Sequence, residues 1–414
     1  MIIFIKFVNI LLFMYTIFFF IRAIICINII KKEKHKKEKF NDCDDNIIIV
    51  IPCLREQRGI EDTIKYFKKI AKNIPIIIVT TQKEIKENTK KEILTQEIVK
   101  NKILPQYENI YWIDYPYTEG YMADQLNYVI EKVKEKLNPE ETYLALYNAD
   151  SRPNEKTFDE IKCKIKEGHK VIQQYSYCMK NYNELNIILK GFSIYQSNFE
   201  IKTGLINTLL KSKLLYTHVV GHGLIINMKL LNELGNFNTK FWCEDIYLGL
   251  QLKFKNIKIT PLLTLENMET PNSLDNLIKQ NSVWFKTTSQ FSKMYKDIIK
   301  NYKITNKFSG LIGCLNELRC ALNWLGFPIV LLISIIGTLI LKEYIMMLLL
   351  ILNYVLYVSI NTIMTIKLIN ILDEKKYKTN IGTIFYTAIA TAISNIGPIY
   401  SIILNKKEKH KTER

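Results

Sequence analysis

The chain has 414 residues, a formal net charge of +17 and 48% hydrophobic residues. Much of the excess charge borders apolar segments: residues 31–39 hold six Lys against two Glu, and residues 405–414 hold four Lys and one Arg against two Glu. Basic flanks of that kind face anionic lipid, and no aromatic-and-basic motif of the nucleic-acid classes is present, so the charge argues against nucleic acid as a partner.

Residues 2–30 are almost continuously apolar, broken by Lys6, Asn9, Arg22 and Asn28, and run straight into Lys31-Lys32-Glu33-Lys34. A signal peptide carries its charge first and a small-residue cleavage site last. The order here is reversed, so residues 1–30 are expected to form an uncleaved transmembrane helix. The basic flank on its C-terminal side, a juxtamembrane linker over 31–45, then places the soluble part of the chain in the cytoplasm of a multi-pass cell-membrane protein.

From Asn46 to about residue 295 short β-branched runs alternate with amphipathic stretches. Ile47-Ile48-Ile49-Val50-Ile51 and Ile76-Ile77-Ile78-Val79 read as parallel strands buried on both faces, with a helix from Glu61 to Lys72 between them. A strand over 109–113, a helix over 122–135 and a strand over 143–147 continue the alternation, which predicts an α/β domain with a mostly parallel sheet. Residues 296–320 are expected to be interfacial helices. Beyond them, 321–341 and 344–366 are each long enough to cross a hydrocarbon core of about 30 Å. The stretch 380–404 is interrupted by Asn395 and Gly397-Pro398. A third crossing would strand the basic tail 405–414 outside, so 380–404 is expected to be a re-entrant or tilted hairpin. The eight cysteines show no CxxC pair and no His at zinc spacing, and read as reduced thiols.

Chemistry-bearing residues fall at the ends of these elements. Glu56 follows Pro52 after the first strand, where it can accept from a base N–H or a ribose hydroxyl. Asn148-Ala149-Asp150 follows the strand over 143–147, at the carboxyl edge where open α/β sheets bind ligands. Oxygen ligands there suit a hard divalent cation bridging phosphates. Downstream stand Gly221-His222-Gly223, then Glu244-Asp245 at a helix start, then Gln280 and Trp284. Read singly, the acidic pairs are ordinary helix-start charges. Their order and spacing carry the signal.

That order resembles the membrane-bound members of glycosyltransferase family 2, the group of cellulose, chitin and hyaluronan synthases, over about residues 46–295. Ile51-Pro52-Cys53-Leu54-Arg55-Glu56, Gly120-Tyr121-Met122-Ala123-Asp124-Gln125-Leu126-Asn127, Asn148-Ala149-Asp150, Glu244-Asp245-Ile246-Tyr247-Leu248-Gly249 and Gln280-Asn281-Ser282-Val283-Trp284 each look like one of its motifs. The resemblance implies a GT-A domain at 46–295 that moves a sugar, with inversion, from a nucleotide diphosphate sugar to a glycan or lipid-linked acceptor at the bilayer. It implies Asp245 as general base supported by Glu244, and Glu56, Asn127, Asn148 and Asp150 on the donor. Mg2+ or Mn2+ would sit on Asp150 and Asn148, and Gln280, Trp284 and His222 would meet the acceptor.

Four positions depart from the family pattern. Thr80-Thr81-Gln82 lacks the acid expected after the second strand, Tyr121 replaces a lysine, Asn148 replaces an aspartate, and Val283 replaces an arginine for which Lys279 or Lys286 would have to stand in. These departures leave open a degenerate domain that binds a nucleotide sugar or a partner without catalysis. The C-terminal spans read from the sequence carry no charge at mid-depth, which argues against a transporter. Three or four spans are few for a glycan channel, which favours transfer of a single sugar.

Overall fold

In the computed structural model, residues 1–34, 46–87, 93–211 and 219–404 are described. Most of the expected basic linker, the basic tail and Cys43 therefore lie outside the described residues. The seven cysteines within them form no disulfide.

The longer helices are α1 (Ile2–Lys34), α2 (Ile60–Ala71), α3 (Met122–Val133), α4 (Thr157–Lys166), α5 (Ile187–Phe199), α6 (Glu244–Phe254), α7 (Leu274–Thr288), α8 (Phe291–Asn301), α9 (Lys307–Ile340), α10 (Tyr344–Leu372), α11 (Ile381–Ala392) and α12 (Ile396–Leu404). The strands are β1 (Asn46–Pro52), β2 (Ile76–Thr81), β3 (Ile110–Tyr115), β4 (Thr142–Leu146), β5 (Val171–Gln173), β6 (Ser176–Tyr177), β7 (Leu224–Asn227), β8 (Thr260–Pro261) and β9 (Glu266–Asn267). Seven of them form one sheet in the order β3-β2-β1-β4-β7-β5-β8, and β6 pairs with β9. Strands β1 to β4 pair in parallel, whereas β7 runs antiparallel to both of its neighbours.

The apolar runs follow from burial on both faces. Ile47, Ile49 and Ile51 of β1 point to one side, against Ile60, Ile64 and Phe67 of α2. Ile48 and Val50 point to the other, against Ala123, Leu126, Val129 and Ile130 of α3. A single strand thus serves two cores, and neither face can accept a polar residue. Each such large side chain contributes roughly 1.5–3 kcal/mol by burial.

Among the described residues three helices, α1, α9 and α10, are long and apolar enough to cross a membrane. Helix α9 differs from the expected division at residue 320. It starts at Lys307 and runs unbroken through Pro328, so Glu317 and Arg319 belong to the same helix as the apolar stretch. The segment 380–404 is two helices of 12 and 9 residues, both short of the roughly 20 needed for a crossing. α11 packs on α5 and α12 on α7. The first contact is backbone to backbone: a Cβ on Gly191 of α5 would lie 2.1 Å from the carbonyl oxygen of Tyr386.

The bundle is tied to the α/β domain at one end of α10. Lys34 of α1 donates to the terminal carbonyls of Ile371 (2.6 Å) and Leu372 (3.2 Å), a favourable place for a cation. Buried Asp373 just beyond accepts from the Asn154 amide at 2.5 Å and from the Tyr177 hydroxyl.

Phe67 is fully buried, its ring 5.1 Å from that of Tyr147 and 6.3 Å from that of Phe158. Phe67→Ala should destabilise the α/β domain by about 3–5 kcal/mol, read as a lowered denaturation midpoint in detergent.

Candidate active site

Strands β1 and β4 are parallel neighbours, so the segments leaving their carboxyl ends, Cys53 to Glu56 and Tyr147 to Asp150, emerge on one edge of the sheet. Because β7 is antiparallel to β4, its entry lies on that same edge, with Leu224 opposite Leu146. Gly223 N–H donates to the Leu146 carbonyl at 2.7 Å, and the Gly223 carbonyl accepts from Gln174 N–H at 2.7 Å. The position requires glycine: φ is +61°, and a Cβ would lie 2.7 Å from the Gln174 carbonyl oxygen. Buried Gln173 holds the rest of the loop. Its Oε1 accepts from Val220 N–H and its Nε2 donates to the His222 carbonyl, both at 2.9 Å.

This loop in turn fixes the second acidic cluster. Gly221 N–H donates to Asp245 Oδ2 at 2.9 Å, while Ile246 N–H donates to Oδ1 at 2.8 Å. Glu244 and Asp245 occupy the first turn of α6, where the helix dipole favours negative charge. Asp150 and Asp245, distant in sequence, open into one cavity of about 1840 Å³.

Eight of the nine residues expected at a site line that cavity: Glu56, Asn148, Asp150, His222, Glu244, Asp245, Gln280 and Trp284. Asn127 is not among them. Its amide donates to the Phe237 carbonyl (2.8 Å) and accepts from Phe237 N–H (2.9 Å), fastening α3 to the turn before α6. Trp284 is exposed toward the cavity, and buried Gln280 accepts from Gln196 at 3.4 Å. Neither lysine expected to stand in for the absent arginine reaches the cavity wall. Lys279 pairs with Asp275 at 2.5 Å, one turn back on the same helix, and Lys286 stacks 3.9 Å over the Trp242 ring. The cations on the wall are Arg55, Lys83, Lys86, Lys202 and Arg319. Lys83 lies 5.0 Å over the ring of Tyr121, where the resemblance led us to expect a lysine.

Two carboxylates escaped the sequence reading. Buried Glu84 shapes the loop that carries Glu56: its Oε2 accepts from Arg55 N–H (3.0 Å) and its Oε1 from both N–H (2.8 Å) and hydroxyl (2.9 Å) of Thr95. The Thr95 hydroxyl then accepts from Glu56 N–H at 2.9 Å. Arg55 itself takes a left-handed φ of 57°, a strained conformation held by this network. Fully buried Glu266 on β9 meets His222 Nδ1 at 3.0 Å. Burial alone lowers the His222 pKa, but Glu266, with Glu200 and Asp245 adding to it, outweighs burial and the net shift is upward. Where an acid is missing after β2, Asp114 on β3 accepts from the Thr80 hydroxyl at 2.7 Å and from the Gln82 amide, away from the cavity wall. These carboxylates lie in elements of two to six residues, too short for a periodic signal, so only tertiary contacts reveal their roles.

The residues fit a divalent cation in one way. Among the described residues no three His, Cys, Asp or Glu side chains form a ligand cluster, whereas Asp150 and Asn148 offer a carboxylate and an amide oxygen to the cavity. Mg2+ is commonly held by one or two carboxylates together with substrate phosphates. The donor set suits an ion shared with a diphosphate, and it does not suit an all-protein cage.

The sequence matches no protein-family model and no curated protein. The structure is similar to that of the mannosyltransferase PcManGT from Pyrobaculum calidifontis, solved in complex with GDP-Man and Mn2+, with a TM-score of 0.50 and 11% identity over 97% of this chain and 100% of that one. S. aureus TarS matches with a TM-score of 0.41 and 12% identity over 81% of this chain and 57% of that one. A mycobacterial protein matches with a TM-score of 0.36 and 12% identity over 60% and 75%. The likeness to the mannosyltransferase shows that the two chains share a fold over nearly their whole lengths.

A histidine raised above its ordinary value near 6.5 stabilises the fold most below that value, and the contribution fades as pH climbs through the raised one. Thermal unfolding followed between pH 5 and 9 (roughly the range over which His changes charge) should show this decline in the wild type. His222→Gln should lack it.

Proposed function

We propose that this chain is a membrane-bound, inverting glycosyltransferase of the GT-A type, related to family 2. It moves a sugar from a nucleotide diphosphate donor to a hydroxyl of a glycan or lipid-linked acceptor, with the α/β domain on the cytoplasmic face. The observation that carries this reading is the shared cavity of Asp150 and Asp245 at the carboxyl edge of the sheet.

Asp245 is the general base. Both its oxygens are oriented by backbone N–H groups, from Gly221 and Ile246, so one lone pair is held toward the acceptor hydroxyl. The hydroxyl oxygen attacks the anomeric carbon from the face opposite the diphosphate. Its proton passes to Asp245 as the carbon–oxygen bond to the diphosphate breaks. No covalent intermediate on the protein is required. Asp150 and Asn148 would hold Mg2+ or Mn2+, which when bound would supply charge neutralisation for the leaving diphosphate. Arg55, Lys83 and Lys86 on the cavity wall add fixed positive charge for the same group, which offsets the losses at Tyr121 and Val283. Glu56 faces the nucleoside, and Trp284 offers an apolar face to the acceptor sugar.

Purified full-length protein should release nucleoside diphosphate from one member of a nucleotide-sugar panel. Asp245→Asn should cut turnover by about 100-fold or more while donor binding persists, and near-wild-type turnover would remove Asp245 from the mechanism. Chelation should abolish release and added Mn2+ or Mg2+ should restore it. Turnover that survives chelation would instead assign charge neutralisation to the cavity cations alone.

A further inference from the structure

The cavity does not end at the acidic clusters. It continues between the apolar helices, where Leu11, Leu12 and Tyr15 of α1, Val330 and Leu331 of α9, and Tyr357 of α10 form its wall. At this junction stands Lys202, in the π-helical turn Glu200–Leu205 that extends α5. Its ammonium donates to Asn361 Oδ1 at 3.2 Å and to the Tyr357 hydroxyl at 3.4 Å. It also lies 5.2, 5.4 and 5.4 Å over the rings of Tyr15, Phe19 and Tyr357. All of these partners are neutral.

A second cation on the same wall, Arg319, is bound in the same way, by Asn316 Oδ1 at 2.8 and 3.0 Å and by the Cys320 sulfur at 3.6 Å. Among the described residues neither cation forms an ion pair, although Glu200 and Glu317 line the same cavity. Charges at the level of apolar helices are costly without a counter-ion. Aromatic faces recover part of that cost for an ammonium, and an anion that enters the cavity would recover more. The apolar walls between the helices need a different partner, a hydrocarbon.

We propose that the acceptor is a membrane amphiphile with a phosphate-bearing head, held at Lys202 and Arg319, whose hydrocarbon chain lies between α1, α9 and α10. The head then sits on the cavity that reaches Asp245, and the chain enters from the bilayer. This assignment deepens the sugar-transfer reading and rests on it for the word acceptor. Its test needs no turnover, so the two fail separately.

The probes are a fluorescent dodecyl phosphate, the matching dodecanol, butyl phosphate and a soluble oligosaccharide, bound to the full chain in detergent without donor. The wild type should bind dodecyl phosphate about tenfold more tightly than dodecanol and more tightly than butyl phosphate. Lys202→Met should erase the preference for phosphate over alcohol, and Lys202→Arg should keep it. Val330→Trp, which narrows the apolar arm and leaves the cations in place, should weaken dodecyl phosphate but not butyl phosphate. Equal binding of phosphate and alcohol, or a preference that survives Lys202→Met, would overturn the assignment. So would butyl phosphate binding as tightly as its long-chain analogue, which marks a free-anion site, or displacement of the probe by the oligosaccharide, which marks a glycan channel.

Discussion

The candidate site depends on one pairing, that of the start of antiparallel β7 with the end of parallel β4. Had β7 run parallel, its entry would lie at the opposite edge of the sheet, and Gly221 could not reach Asp245 from beside Asn148 and Asp150. The hydrogen bonds of Gly223 to Leu146 and Gln174 fix the loop against that edge. Buried Gln173 and Gln174 are the polar groups that this arrangement requires in an otherwise apolar sheet, and both are hydrogen-bonded. Backbone geometry at a glycine and two buried amides thus precede any chemistry of the carboxylates.

The sequence revealed the first half of the α/β domain more fully than the second. Strands β1, β2 and β4 are buried on both faces, which forces continuous Ile and Val runs, and α2 and α3 show amphipathic spacing. Strands β5, β6, β8 and β9 have two or three residues each, too few for any alternation to register. The site was legible where residue type follows from chemistry, as at Asp150 and Asp245. It was not legible where tertiary neighbours decide. Asn127 occupies the expected helix turn yet serves Phe237, and Glu84 and Glu266 gain their roles from partners 11 to 44 residues away. The same limit explains Lys279 and Lys286, whose nearest partners, Asp275 and the Trp242 ring, draw them off the cavity wall.

Charge is distributed along the cavity in a way that composition hides. Arg55, Lys83 and Lys86 lie on the wall shared with the acidic clusters, and Lys202 and Arg319 on its continuation among the apolar helices. The same cavity is lined by Asp150, Glu244 and Asp245.

The seam between α5 and α11 carries a mechanical consequence. With Gly191 against the Tyr386 carbonyl the two backbones meet directly at this point, so a tilt of α11 is passed to α5 with little slack. Gln196, farther along α5, touches Gln280, and the chain continues directly into the turn bearing Lys202. A displacement of α11 therefore reaches, through α5, both Gln280 and the turn bearing Lys202, two points on the wall of one cavity.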